Sequence, residues 1–101
     1  MAVSSELSQD GTSTLTITIS GRFDFGAHQD FRQAYERFGK EPKTYVVDLG
    51  GATYLDSSAL GMLLLLRDHA GGDAAKVKLV NASTDVRKIL AISNFDKLFD
   101  I

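Results

Sequence analysis

The chain opens with a period-two pattern. Val3, Ser5 and Leu7 alternate with more polar or smaller neighbours, and Leu15, Ile17 and Ile19 alternate with Thr14, Thr16 and Thr18. In extended backbone, alternation sends one set of side chains to each face. Asp10 and Gly11 between the two runs predict a two-residue turn, so a β-hairpin with one buried face is expected at the N-terminus. Gly21 is expected to end the second strand. After Arg22, Phe23, Asp24 and Phe25 the period becomes helical: Ala27, Phe31, Ala34, Tyr35 and Phe38 share one stripe, and Gly39 is a natural stop.

Thr44 to Leu49 reads as the next strand, with the β-branched pair Val46 and Val47 favouring extended backbone. Asp48, near its end, is expected to cap or hydrogen-bond within the following loop. A polar corner, Asp56, Ser57 and Ser58, precedes a leucine-rich helix predicted from Ser57 to about Ala70 and closed by Gly71 and Gly72. Each of the three corner residues has a side-chain oxygen suited to the free N–H groups of the first helical turn. Lys76 to Val80 predicts a fourth strand, and Ser83 a cap for a short helix carrying Val86, Ile89 and Leu90. Phe95, Leu98, Phe99 and Ile101 form an apolar tail expected to pack back on the core.

Strand, helix, strand repeated twice after a hairpin implies two βαβ crossovers with parallel strands. The expected fold is therefore α/β: one domain over residues 1–101, with a four-stranded mixed sheet and three to four helices. On a helical wheel Ala59, Leu63, Leu66 and Ala70 cluster toward the sheet. Ser57, Gly61 and Asp68 lie opposite, flanked by Leu64 and Leu65, with Met62 placed not far from that outer line. The helix carries more apolar side chains than a half-buried helix needs. Either the sheet and terminal segments cover the surplus, or the outer residues Gly61, Met62, Leu64, Leu65 and Asp68, together with Ser57, meet solvent or a partner; the second is the binding surface expected here.

Composition narrows the function. A chain with 44% hydrophobic and 24% charged residues and a single Pro is that of a folded domain. Eleven Lys and Arg against thirteen Asp and Glu, without a basic cluster, make nucleic acid an improbable partner. With no cysteine there is no disulfide framework or thiolate metal site. The N-terminus lacks signal-peptide regions, and the run Met62 to Leu66 is far short of the roughly 20 residues needed to span a bilayer, so a cytoplasmic protein without membrane insertion is expected.

Enzymatic chemistry finds little support. No Gly-x-Ser-x-Gly elbow is present, and His69 lies about 18 Å along the same helix from Ser57. Gly50 and Gly51 lack the rest of a phosphate-loop pattern. No catalytic residue, metal site or cofactor is expected.

The run from Tyr45 to Leu66, with Asp56, Ser57, Ser58, Ala59, Leu60 and Gly61 at its centre, resembles the STAS-domain anti-sigma-factor antagonists, also called anti-anti-sigma factors. Gly21 to Asp24 resembles that family's Gly-x-x-Asp element, and Ile92 to Phe99 its C-terminal segment. Many members have Gly where Ala59 stands. The resemblance implies a bacterial, non-enzymatic phosphoprotein acting in transcription regulation by partner switching. The unmodified form would bind an anti-sigma factor, often itself a serine kinase, and free a sigma factor. Phosphorylation would reverse this and a phosphatase would reset it, with ATP used by the kinase alone.

The phosphorylation site carries over onto Ser57, with Asp56, Ser58 and Asp24 as supporting residues. Ser58 is expected to cap or bond backbone, and Asp56 to play a structural part. Asp24 suits a turn or helix-entry role. For Ser57 itself the competing role is a plain N-cap. The alternative reading of the whole chain is a constitutive STAS interaction subunit, either the small soluble subunit of a lipid-transport complex or a piece of a sensory scaffold.

Overall fold

The computed structural model describes residues 2–8 and 10–101. The first strand, β1 (Ala2–Leu7), pairs antiparallel with β2 (Thr14–Phe23) in a register that sets Leu7 opposite Leu15. A 3₁₀ turn, Phe25–Ala27, leads into α1 (His28–Glu36). Then follow β3 (Thr44–Leu55), α2 (Ser57–His69), a second 3₁₀ turn at Gly72–Ala74, β4 (Val77–Val80), α3 (Thr84–Ile92) and a last 3₁₀ turn at Phe95–Lys97. The sheet order is β1-β2-β3-β4, antiparallel at the first pair and parallel at the other two. The mixed four-stranded α/β fold is the expected one, with α1 joining β2 to β3 and α2 joining β3 to β4.

The parallel registers put like beside like. Leu15, Ile17, Tyr45, Val47, Val77 and Leu79 form rows across the sheet, and all are buried. Phe23 and Phe31 meet over them with ring centroids 5.1 Å apart, and Phe31 meets Tyr35 at 5.7 Å. Burying side chains of this size is worth about 1.5–3 kcal/mol each, and this core is what holds α1 to the sheet. Phe95 and Phe99 bury as expected of the tail, whereas Leu98 and Ile101 stay 41% and 38% exposed. Asp100 lies along the outer edge of β4, where its carbonyl accepts the Leu79 N–H at 2.8 Å and its own N–H donates to the Val77 carbonyl at 3.2 Å.

Three sequence expectations need correction. The β1–β2 connection spans residues 8–13, longer than a two-residue turn; Asp10 Oδ1 accepts from the Thr12 N–H at 3.0 Å, and Gly11 and Ser13 take the positive φ values, 86° and 54°. Gly21, at φ 84°, does not end β2, which continues to Phe23. Nor does β3 stop at Leu49. It runs on to Leu55, with register shifts opposite Thr18–Ser20 and Gly21–Arg22 that insert extra β3 residues against β2. Such bulges change which face each following residue meets. Burial in β3 accordingly goes from every second residue through Leu49 to every third at Ala52 and Leu55, which hides the strand from a period-two reading.

Gly51 pairs with Ser20 of β2 just past the first register shift. A β-carbon there would lie 3.0 Å from Ser20 Cβ and 3.1 Å from both the Ile19 carbonyl oxygen and Ser20 Cα. Backbone cannot swing away as a flexible side chain does, so Gly51→Ala is expected to lower unfolding free energy by about 1–3 kcal/mol. An earlier urea midpoint at unchanged slope is the measurement that checks it.

Candidate functional site

The corner between β3 and α2 is held by one residue. Asp56, in extended backbone (φ −104°), accepts the Ala59 N–H on Oδ1 at 2.9 Å and the Leu60 N–H on its carbonyl at 3.2 Å. Its own N–H donates to the Phe23 carbonyl at 3.4 Å. It is therefore the N-cap of α2 and also the joint between that helix and the end of β2. The structural part expected for Asp56 is the one it plays.

Ser57 is consequently not the cap. It occupies the first helical position, is exposed, and makes no side-chain hydrogen bond among the described residues. Ser58 follows, half-buried, and its hydroxyl makes none either; the capping expected of it is done by Asp56. Asp24 sits beside this joint, one residue after Phe23. Its Oδ1 accepts the Gly26 N–H at 3.0 Å and opens the 3₁₀ turn, the helix-entry role expected from sequence. Its other carboxylate oxygen lies 3.8 Å from Arg22 Nε, a loose exposed pair of small energetic weight. Arg22 also lies over the Tyr54 ring at 4.5 Å.

Outward from Ser57 the surface is apolar with bare backbone. Leu64 and Leu65 are 38% and 52% exposed and Asp68 is exposed. A β-carbon on Gly61 would have nothing within 4 Å. Met62 departs from its expected place on this surface: it is 4% exposed, because α1 packs against that side of α2. It instead lines a cleft of about 260 Å³ between the two helices, with Phe31, Tyr35, Leu65, His28 and His69 around it.

Sequence reasoning also missed Phe25, which is 68% exposed and stacks on His28 with centroids 5.6 Å apart. Its only sequence signal is that it falls off the stripe of Ala27, Phe31 and Tyr35.

The far end of α2 is fastened. His69 Nε2 lies 3.1 Å from the Gly39 carbonyl, with its ring on Tyr35 at 4.9 Å. Lys40 Nζ donates to the His69 carbonyl at 2.8 Å. Arg67 donates to Asp73 at 3.0 Å and to the Leu98 carbonyl at 3.3 Å. Asp48, inside β3 instead of at its end, accepts from the Gly50 N–H at 2.9 Å and from Asn81 Nδ2 at 3.2 Å. Among the described residues no three His, Asp or Glu side chains gather as a metal site, and no helix is long and apolar enough to cross a membrane.

Comparison with known proteins matches this architecture. A family model described as "Mlab, STAS domain" covers residues 6–100. A STAS-domain containing protein of Pseudomonas aeruginosa strain UCBPP-PA14 is 68% identical over 101 residues, all of this chain and 99% of that protein. Among solved structures, the anti-sigma factor antagonist SpoIIAA of Bacillus, unphosphorylated, superposes with a TM-score of 0.72 at 22% identity, over 90% of this chain and 83% of that one. A sulfate transporter family protein from Wolinella succinogenes superposes with a TM-score of 0.74 at 13% identity, over 94% and 80%. The same sheet order and helix placement thus occur in a sigma-factor regulator and in a transporter-family protein. On the family match over residues 6–100 and its 68% identical relative, the chain belongs to the STAS-domain family.

Proposed function

We propose that the chain is an anti-sigma-factor antagonist that works as a phosphorylation switch. In this reading the unmodified protein binds an anti-sigma factor and so releases a sigma factor, a serine kinase phosphorylates Ser57 to end the binding, and a phosphatase restores it. The observation that carries the reading is the division of labour at the start of α2. Asp56 supplies the cap, which leaves the Ser57 hydroxyl exposed and unbonded at the head of the helix. A kinase has no native hydrogen bond to break there, and phosphate at that place costs the fold little. It adds about −1.5 to −2 charges where the helix dipole and free N–H groups favour an anion.

The partner surface responds differently. Ser57 and Gly61 are one helical turn apart, with Leu64 and Leu65 beyond them, so an apolar partner seated here would have to desolvate the new dianion next to Asp56 and Asp24. Losses for buried interface charges run at ~2–5 kcal/mol, a weakening of roughly 30-fold to a few thousand-fold. Gly61 supports the same reading. A glycine inside a helix costs about 1 kcal/mol relative to alanine, and no packing neighbour explains it here, whereas close approach of a partner does.

The second reading, a constitutive subunit of a transport complex or sensory scaffold, draws support from the transporter-family protein that shares the fold. Under it the helix face docks permanently. A pull-down from the host that recovers a transporter subunit or ATPase in place of a kinase or sigma regulator would favour it.

With the cognate kinase and ATP, mass spectrometry is expected to find phosphate on Ser57 and none in Ser57→Ala; phosphate confined to Ser58 would sink the assignment. Ser57→Asp is expected to weaken anti-sigma binding in a calorimetric titration within the range above. Stability should separate the two corner residues: Asp56→Ala loses about 0.5–2 kcal/mol on removal of the cap, while Ser57→Ala stays within about 0.5 kcal/mol of the parent. Gly61→Ala is expected to raise the denaturation midpoint, by about 1 kcal/mol in free energy, and to weaken partner binding at the same time.

A further inference from the structure

Of the sheet's two outer edges, that of β4 is met by the Asp100 bridge, and that of β1 faces no further strand among the described residues. The phase of the β1–β2 ladder follows from one bond, in which Ser8 N–H donates to the Thr14 carbonyl at 2.8 Å. In an antiparallel pair, hydrogen-bonded residues alternate with residues whose backbone groups point the other way. With Ser5 opposite Ile17 and Ser4 opposite Thr18, the groups of Ser4 and Glu6 turn toward β2, and those of Val3 and Ser5 turn outward. The outward Ser5 carbonyl is not left to water. Arg37, just past the end of α1, donates from Nη2 to that carbonyl at 3.1 Å and to the Ser5 hydroxyl at 2.9 Å. Its guanidinium is steadied over the Phe38 ring at 4.8 Å.

We propose that the β1 edge is a pairing surface for a second copy of this chain, held shut by Arg37. The sequence of β1 is complementary to itself about Ser5. Antiparallel pairing centred there lets the two Ser5 residues exchange their N–H···O bonds. It sets Val3 of one copy across from Leu7 of the other, apolar against apolar, and Ser4 across from Glu6, so that no like charges oppose each other. The strand has neither proline nor lysine, the usual devices that blunt an exposed edge. Arg37 supplies the missing protection from the neighbouring helix, because an incoming strand must displace its guanidinium from the Ser5 carbonyl before the central bonds form.

The test is the oligomeric state of the full chain by sedimentation equilibrium up to millimolar concentration. The wild type is expected to sediment at 11.0 kDa. Arg37→Ala, and Arg37→Met, which keeps a stem over Phe38 without the donors, are expected to move toward twice that mass as concentration rises. Ser5→Pro in either background removes the outward N–H at the pivot and is expected to restore the single-chain mass. Circular dichroism identifies any variant that fails to fold, and the other Arg37 variant then decides. Both Arg37 variants remaining monomeric, a dimer that survives Ser5→Pro, or a wild type already paired through this edge would each overturn the proposal.

Discussion

Everything at the candidate site depends on how β3 is paired to β2. The two strands run parallel from Thr14 beside Thr44 to Phe23 beside Leu55, but β3 uses extra residues on the way. Those bulges let β3 travel past the point where its hydrophobic alternation ends, so it delivers Asp56 to the end of β2 in place of leaving a long loop. The Asp56 N–H to Phe23 carbonyl bond closes the pairing and brings the end of β2, with Asp24 one residue beyond Phe23, to the start of α2. Gly51 eases the route, since a β-carbon there would crowd Ser20 and the Ile19 carbonyl at 3.0–3.1 Å.

The second constraint is that α2 has two neighbours to satisfy. Ala59, Leu63 and Leu66 bury fully, and Met62 nearly so in the cleft against α1. This dual packing accounts for much of the leucine-rich composition. What remains, Leu64 and Leu65 beside Gly61, is a narrow apolar strip continuing from Ser57. Because the far end is tied down through His69, Lys40 and Arg67, the strip is presented on a helix fastened at both ends. A charge added at Ser57 then acts on whatever seats there and leaves the helix in place, the property a switch on a small domain requires.

Aromatic and histidine packing completes the scaffold. Tyr35 and Tyr45 both meet the His69 ring, and burial pushes both phenol hydroxyls above their ordinary values, so they stay neutral in the fold. The exposed ion pairs, Arg22 with Asp24 and Arg32 with Glu36, contribute little to stability.

By itself the sequence determined the order and type of the elements, the mixed sheet, the capped corner and the outward line of Ser57, Gly61 and Asp68. Each of these follows from local periodicity or from a side chain acting within a few residues of its own position. Tertiary structure alone decided that Asp56, not Ser57 or Ser58, caps α2, because all three have a suitable oxygen and only the pairing of β3 with Phe23 selects one. It likewise decided the length of β3, whose bulges erase the period-two signal, and the burial of Met62, which a wheel drawn for one packing neighbour cannot show when α1 is the second. Arg37 on the β1 edge was invisible for the same reason: it gains its place from Ser5, distant in the chain, and no local pattern records such a contact.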